Sequence, residues 1–413
     1  MNGRMSTDPT RTLAFLLLTA VVEQHRTLED ALDRLPQAEP RDRAAAHRLA
    51  AAVLRRAGTL DAVLEPFLTR APPAPARTVL LIGAAGLLLL GTPPHAAVGT
   101  AVDLARSQKL APFAKMVNAV LRRVAEQGPA MLAQLDSPRL DTPAWLWSAW
   151  GADARAIAEG HQIEAPLDIT LKPGAAAPPG GVVLPTGSIR FPAGTRVADL
   201  PGFAEGQFWV QDAAAALPAS LLAAQPGERV ADLCAAPGGK TAQLAVAGAH
   251  VTAVERDPSR ILRLRENLAR LGVKADIVQA DAATWIPAEK FDAVLLDAPC
   301  SATGTIRRHP DVPHVKKPGD VQTLAATQTQ LLQAAARLLK PSGRLIYAVC
   351  SLQPEEGPGH AAPEGLTADP FTIEELAAIP EARTAIGNLR THPGFWPEIG
   401  GLDGFYAARF RAG

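Results

Sequence analysis

Two cysteines followed by serines stand at the ends of apolar runs. Phe291–Leu296 leads into Asp297-Ala298-Pro299-Cys300-Ser301, and Leu345–Val349 leads into Cys350-Ser351. In an open α/β sheet, ligands bind outside the carboxyl ends of the strands. If the two runs are neighbouring strands, both thiols face one crevice. A lone cysteine is ordinarily a small buried hydrophobe. Two Cys-Ser pairs at strand ends point instead to chemistry. No CxxC or HxxxH spacing accompanies them, so no metal is expected.

A second cluster precedes the thiols. Strand Arg229–Leu233 ends in Cys234-Ala235-Ala236-Pro237-Gly238-Gly239-Lys240-Thr241, followed by a helix. Small residues let a ligand approach the backbone, and the helix presents its first amides to anionic groups. A P-loop needs glycine six positions before Lys240, where Cys234 stands, and the dinucleotide fingerprint does not fit either. Glu255 ends the next strand, where an acid can accept both hydrogen bonds of a ribose diol. Asp281 follows the third strand and could meet an adenine amino group. Three such features at successive strand ends predict an adenosine-bearing cofactor.

A thiol beside such a cofactor suits one difficult reaction. C5 of cytosine is a poor nucleophile, but a thiolate adding to C6 makes C5 enamine-like and able to attack an electrophilic methyl group. The C5 proton must then leave and the thiol be eliminated. The reaction needs a nucleophile, a second acid or base and a group for N3. Cys350, Cys300 and Asp297 can fill these roles. Residue chemistry alone does not choose between the thiols.

The elements that must position these residues read as three segments. Residues 1–129 carry apolar residues at helical spacing in Thr12–Glu23, Arg43–Arg55, Leu60–Leu68, Thr78–Leu90, Ala96–Ser107 and Lys115–Glu126. Short Pro-bearing breaks between them predict an all-α bundle. Residues 130–227 are richer in Pro and Gly, with short strand-like runs at Pro166–Leu171 and Gly181–Leu184, and predict a small mixed connector domain. From residue 228 to 413, short β runs alternate with helices Gly239–Ala247, Pro258–Leu271 and Val321–Leu339. That rhythm predicts an α/β doubly wound, Rossmann-like domain with a parallel sheet.

Composition narrows the classes. The 413 residues carry 41 basic and 41 acidic side chains, so the chain is not a globally basic nucleic-acid binder. A hydrophobic fraction of 47% excludes a mainly disordered chain. The longest apolar stretch, Val79–Gly91, is too short for a spanning helix, which needs about 20 residues, so no membrane association is expected. Leu13–Val22 is followed by Glu23-Gln24-His25-Arg26 and not by a small-residue cleavage site, and reads as a buried helix. Cys234, Cys300 and Cys350 are the three cysteines, an odd number that implies a reducing cytoplasm. Local basic patches remain. Residues 1–130 hold 16 basic against 11 acidic residues. Residues 301–317 hold Arg307, Arg308, Lys316 and Lys317 against Asp311. Beside the thiol crevice, these four are the expected RNA phosphate contacts.

Asp232–Thr241 (DLCAAPGGKT), Asp297–Gly304 (DAPCSATG), Tyr347–Ser351 (YAVCS) with Pro354-Glu355-Glu356, and Phe203–Ala214 resemble the RNA cytosine-C5 methyltransferases of the NOL/NOP/Sun group. Asn118-Ala119-Val120-Leu121-Arg122 resembles the NusB-like domain, and the combination resembles the RsmB (Sun/Fmu) type of bacterial 16S rRNA methyltransferase. The resemblance implies S-adenosylmethionine held by Cys234–Lys240, Glu255, Asp281 and Asp297. It also implies Cys350 as covalent nucleophile, with Cys300 assisting breakdown of the adduct. It makes RNA, expected to be 16S rRNA, the partner in place of DNA, and the protein is expected to act as a monomer. Three departures stand out. Val349 replaces the usual threonine, Gly357 replaces asparagine, and the helix expected in Pro358–Asp369 is shortened. A tRNA substrate, or a non-catalytic RNA-binding assembly factor, are the competing readings.

Overall fold

The computed structural model describes residues 8–413, so residues 1–7 of the expected helical domain lie outside the described residues. The chain forms two compact units. One holds residues up to Gln162 together with Ile306–Lys317, and the other holds Ile163–Thr305 and Pro318–Gly413.

The first unit is helical: α1 (Pro9–Val22), α2 (Leu28–Asp33), α3 (Pro40–Arg55), α4 (Ala57–Leu64), α5 (Ala74–Leu88), α6 (Pro94–Ser107), α7 (Ala114–Leu132), α8 (Ser137–Leu140), α9 (Ala144–Trp150) and α10 (Ala154–Gln162). Proline at the first helical turn opens α1, α3, α5 and α6, where its missing N–H costs nothing. The core includes Leu17, Leu18, Leu60, Leu80, Ile82 and Leu121, all essentially inaccessible.

The second unit begins with a small antiparallel sheet of β1 (Leu167–Leu171), β2 (Val182–Val183), β3 (Ile189–Phe191) and β4 (Phe208–Val210), in the order β2-β3-β1-β4. Helix α11 (Ala213–Leu222) follows. Then come β5 (Arg229–Leu233), α12 (Gly239–Val246), β6 (His250–Glu255), α13 (Pro258–Leu271), β7 (Asp276–Gln279) and β8 (Phe291–Asp297). Helix α14 (Val312–Val315) belongs to the helical unit, after which α15 (Pro318–Arg337) and β9 (Leu339–Val349) complete the parallel part of the sheet. Strands β10 (Leu366–Ala368), β11 (Leu389–Arg390) and β12 (Tyr406–Ala412) close the chain. The main sheet runs β10-β12-β9-β8-β5-β6-β7, with β11 paired to β12.

Two sequence expectations need correction. The sheet is not wholly parallel, because β12 pairs antiparallel with β9 through Tyr406↔Val349 to Arg411↔Arg344. The Pro- and Gly-rich stretch before β12 hides this last strand from pattern reading. Residues 130–227 also do not form a separate compact unit. Asp141, on the turn after α8, accepts hydrogen bonds from Thr59 N, Thr59 Oγ1 and Arg56 Nε, which joins α8 to α4 in the helical unit. The small sheet instead joins the α/β unit through a buried ion pair. Arg190 makes two hydrogen bonds of 2.7 Å to Asp168 and donates to the carbonyls of Ile399 and Gly401, while Asp168 accepts from Ala213 N.

Removing one member of a buried pair leaves an uncompensated charge, whereas an exposed pair contributes little. Arg190→Ala is therefore expected to destabilise the α/β unit by about 3–5 kcal/mol. Loss of the exposed Arg155–Asp136 pair by Arg155→Ala should cost far less, because solvent screens it. Urea denaturation followed by amide exchange in Leu167–Leu171 checks this. Equal effects of the two substitutions would contradict it.

Candidate active site

The carboxyl ends of five parallel strands, in the order β9-β8-β5-β6-β7, carry Cys350, Asp297, Cys234, Glu255 and the turn to Asp281. The loop after β5 turns sharply. Cys234 sits at φ +61° and Gly238 at φ +104°. A Cβ on Gly238 would stand 2.6 Å from Leu264 Cδ1, so only glycine fits this first turn before α12. The Cys234 thiol is pushed up to about 12 by burial, then by the charges of Glu255 and Asp297, which keeps it neutral. The loop lines a cavity of about 440 Å³ together with Trp209, Gln211, Asp232 and Asp297.

Asp232 is an ionisable residue of this cavity that is absent from the predicted site residues. It is fully buried in β5, and Thr241 Oγ1 donates to its Oδ2 at 2.5 Å, while Oδ1 has no hydrogen-bond partner. Burial, opposed by the Thr241 hydrogen bond and reinforced by the Asp297 charge, raises its carboxyl to about 7. Its sequence signal is an acid inside an otherwise apolar strand. Glu255 Oε1 accepts from Arg256 N at 3.0 Å and Asp257 N at 3.1 Å. Its Oε2 is buried, accepts no hydrogen bond and lies 3.3 Å from Arg260 Nη1. A buried carboxylate oxygen left open at a strand end fits a ligand hydroxyl. Asp281 is exposed, with Oδ1 accepting from Ala283 N at 2.9 Å.

The two thiols meet. Strands β8 and β9 pair in parallel, with Asp297 opposite Ala348, and the sulfurs of Cys300 and Cys350 lie 3.4 Å apart. Gly304 N donates to the Cys350 carbonyl at 3.0 Å, and a Cβ on Gly304 would strike the Gly404 carbonyl oxygen at 2.0 Å. The Cys300 thiol is held well above its ordinary range by its hydrogen bond to Cys350, then by burial and by the charges of Cys350 and Glu356. Lys240 Nζ donates to Asp297 Oδ2 at 2.8 Å and lies 5.2 Å from the Phe405 ring centre. Burial opposes the Lys240 charge, but Asp297 beside it, with Cys350 and Asp232 farther out, holds its ammonium above the usual range.

The family departures have structural reasons. Val349 is fully buried in an apolar cluster with Leu233, Leu296 and Tyr406, a setting that suits a methyl in place of a hydroxyl. A Cβ at Gly357 would stand 2.7 Å from Arg390 Nη2. Arg390 donates to the Ser351 carbonyl at 2.6 Å and covers the Tyr406 ring, so glycine leaves room for it. No helix forms in Pro358–Asp369, which holds turns and the strand Leu366–Ala368; the helical turn nearby is the 3-10 turn Pro354–Glu356 that precedes it.

The basic loop is corrected in one respect. Arg307 is only 1% exposed and its carbonyl accepts from Arg55 Nη2 at 2.8 Å, so its side chain is not a surface phosphate contact. The segment is packed within the helical unit, where Asp311 Oδ2 accepts from Leu28 N and His314 Nε2 contacts the Leu54 carbonyl. Arg308 and Lys316 are half-buried and Lys317 is exposed. Sequence reasoning also missed Gln328 and the role of Glu356, both fully buried polar residues near the thiols.

Asp232 gives a pH prediction. Its carboxyl titrates near pH 4 in an unfolded chain and at about 7 in the fold. The fold holds the proton that the unfolded chain releases, so its contribution is present below about pH 4 and is lost as pH rises to about 7. Asp232→Asn should therefore gain stability relative to the wild type across that window, by at most about 4 kcal/mol, and level off above it. Denaturation series from pH 4 to 8 read this difference. A constant difference would contradict it.

Comparisons with known proteins give the family. Residues 219–411 match the family described as 16S rRNA methyltransferase RsmB/F, and residues 8–126 match the NusB family. The ribosomal RNA small subunit methyltransferase B of Cronobacter sakazakii is 37% identical over 374 residues, covering 84% of this chain and 87% of that protein. The protein of the same name from Klebsiella pneumoniae subsp. pneumoniae is 35% identical and covers 97% of both chains. Among solved structures, PH0851 superposes with a TM-score of 0.73 at 22% identity, over 97% of this chain and 98% of its own. A methyltransferase homolog protein from Pyrococcus horikoshii gives 0.51 at 24% identity, over 68% of this chain and 96% of its own. These two likenesses are of fold. With the thiols, the glycine-rich turn and the strand-end acids in the places described, the chain belongs to the RsmB/F family of 16S rRNA methyltransferases.

Proposed function

We propose that this rRNA methyltransferase acts on C5 of a cytosine in 16S rRNA, with S-adenosylmethionine as cofactor, in the cytoplasm. The observation that carries the reading is the 3.4 Å approach of two thiols beside the Lys240–Asp297 pair. Bound S-adenosylmethionine supplies the electrophilic methyl group. The loop Cys234–Lys240 and the open carboxylate oxygens of Asp232 and Glu255 are the groups that would hold it, and Asp281 would lie near its adenine.

In this reading, Cys350 adds to C6 and Asp297 orients the base through its N3 edge. Lys240 keeps a positive charge close to both. While Cys350 is anionic, its charge and its hydrogen bond keep the proton on Cys300. Conversion of Cys350 to a neutral thioether removes both effects; the Cys300 proton then passes to solvent, and its thiolate takes the C5 proton as the C6–S bond breaks and Cys350 leaves as a thiolate. The pair thus orders the steps: addition first, proton removal second. For RNA, Lys316, Lys317 and Arg308 remain the phosphate contacts of the proposal, while Arg307 supports the packed segment from which they project.

The two cysteines should fail differently. Cys350→Ala should abolish methyl transfer and form no covalent complex. Cys300→Ala should form the C6 bond and stay trapped, because the C5 proton is not removed. Denaturing electrophoresis after incubation with RNA and S-adenosylmethionine shows which. A retarded band with Cys300→Ala alone is the expected result; a band with Cys350→Ala alone would reverse the roles.

A further inference from the structure

Behind the thiols lies a closed polar cluster that the reaction as described does not use. Glu356, at the end of the 3-10 turn after Cys350, is completely buried, as are Ser301, Thr303, Gln328 and Ser351. Glu356 Oε1 accepts from Ser301 N at 2.8 Å and from Gln328 Nε2 at 3.0 Å. Its Oε2 accepts from Ser351 Oγ at 2.5 Å and from Ser301 Oγ. Ser301 follows Cys300 and Ser351 follows Cys350, so one carboxylate holds the residue after each thiol.

The cluster is tied to the backbone at both ends. Ser351 Oγ accepts from Gln353 N, and Thr303 Oγ1 accepts from Leu352 N, both at 3.0 Å. The Glu356 carbonyl accepts from Tyr347 Oη at 2.6 Å, and Gln328 Nε2 also donates to the Pro299 carbonyl at 2.9 Å. Four donors converge on the carboxylate. Its two oxygens offer lone pairs for all of them, whereas an amide offers one acceptor oxygen and two donors of its own. A purely space-filling role would not require a group that only accepts.

We propose that Glu356 is a positioning residue that sets the separation and aim of the Cys300 and Cys350 thiols by clamping the serine that follows each. The proposal rests on the two-thiol reading above. It assigns each serine to its neighbouring thiol, Ser351 to the addition step and Ser301 to adduct breakdown. A misplacement of about 1 Å at a reacting group can cost roughly 100-fold in rate.

The test compares Glu356→Gln, Ser301→Ala and Ser351→Ala with the wild-type protein. Bridging of the two thiols by dibromobimane, located by peptide mapping, reads their geometry without RNA or cofactor. Glu356→Gln should slow bridging and lower kcat by roughly 10–100-fold. Its calorimetric affinity for S-adenosylhomocysteine should stay within about twofold, since the clamp lies behind the thiols and not on the cofactor loop. Ser351→Ala should lower the yield of covalent RNA complex. Ser301→Ala should raise the ratio of trapped complex to product. The serine variants keep the carboxylate and carry the same test if Glu356→Gln does not fold. Bridging at the wild-type rate in Glu356→Gln, an unchanged kcat, or identical behaviour of the two serine variants overturns the proposal. If the wild type bridges normally yet transfers no methyl group to RNA, the functional reading fails while the clamp still stands.

Discussion

Everything proposed for the site depends on the parallel pairing of β8 with β9. Register places Leu296 opposite Tyr347 and Asp297 opposite Ala348, so the chain leaves both strands at the same height. The turn after β8 needs three residues to reach its thiol, and β9 delivers Cys350 directly. A slip of one residue would send one strand's side chains to the opposite face. Strand β12 prevents such a slip from the other side, since it pairs with β9 from Val349 down to Arg344. The antiparallel strand that pattern reading missed is thus part of what holds Cys350 in place.

Around that pairing, acids do separate jobs according to their partners. Glu356 has four donors and is a fixed point. Asp297 has the Lys240 ammonium on one oxygen and remains partly open to the crevice. Asp232 and Glu255 each keep an oxygen without a hydrogen bond. A buried polar atom left open costs free energy unless a ligand completes it. The unsatisfied atoms lie on β5 and at the end of β6, and the satisfied carboxylate lies behind the thiols.

The strand ends were legible in the sequence because small residues, acids and cysteines interrupt apolar runs there. Cys234, Glu255, Asp281, Asp297, Cys300 and Cys350 stand where the alternation of β runs and helices places them. Tertiary partners were not legible. Arg307 reads as a surface cation because its neighbours are basic, yet it is buried within the helical unit. Glu356 reads as one acid in a Pro-Glu-Glu turn, and only the fold shows that serines far apart in sequence converge on it. Strand β12 lies beyond a long irregular stretch whose order comes from pairing with β9 and not from local propensity.

The central claim is that this chain methylates C5 of a cytosine in 16S rRNA, and bisulfite sequencing of that RNA tests it most directly. The expected result is one cytosine that resists conversion in the parent strain and converts in a strain lacking the gene, with resistance restored by the wild-type protein but not by Cys350→Ala. An identical conversion pattern in the parent and deletion strains would contradict the account.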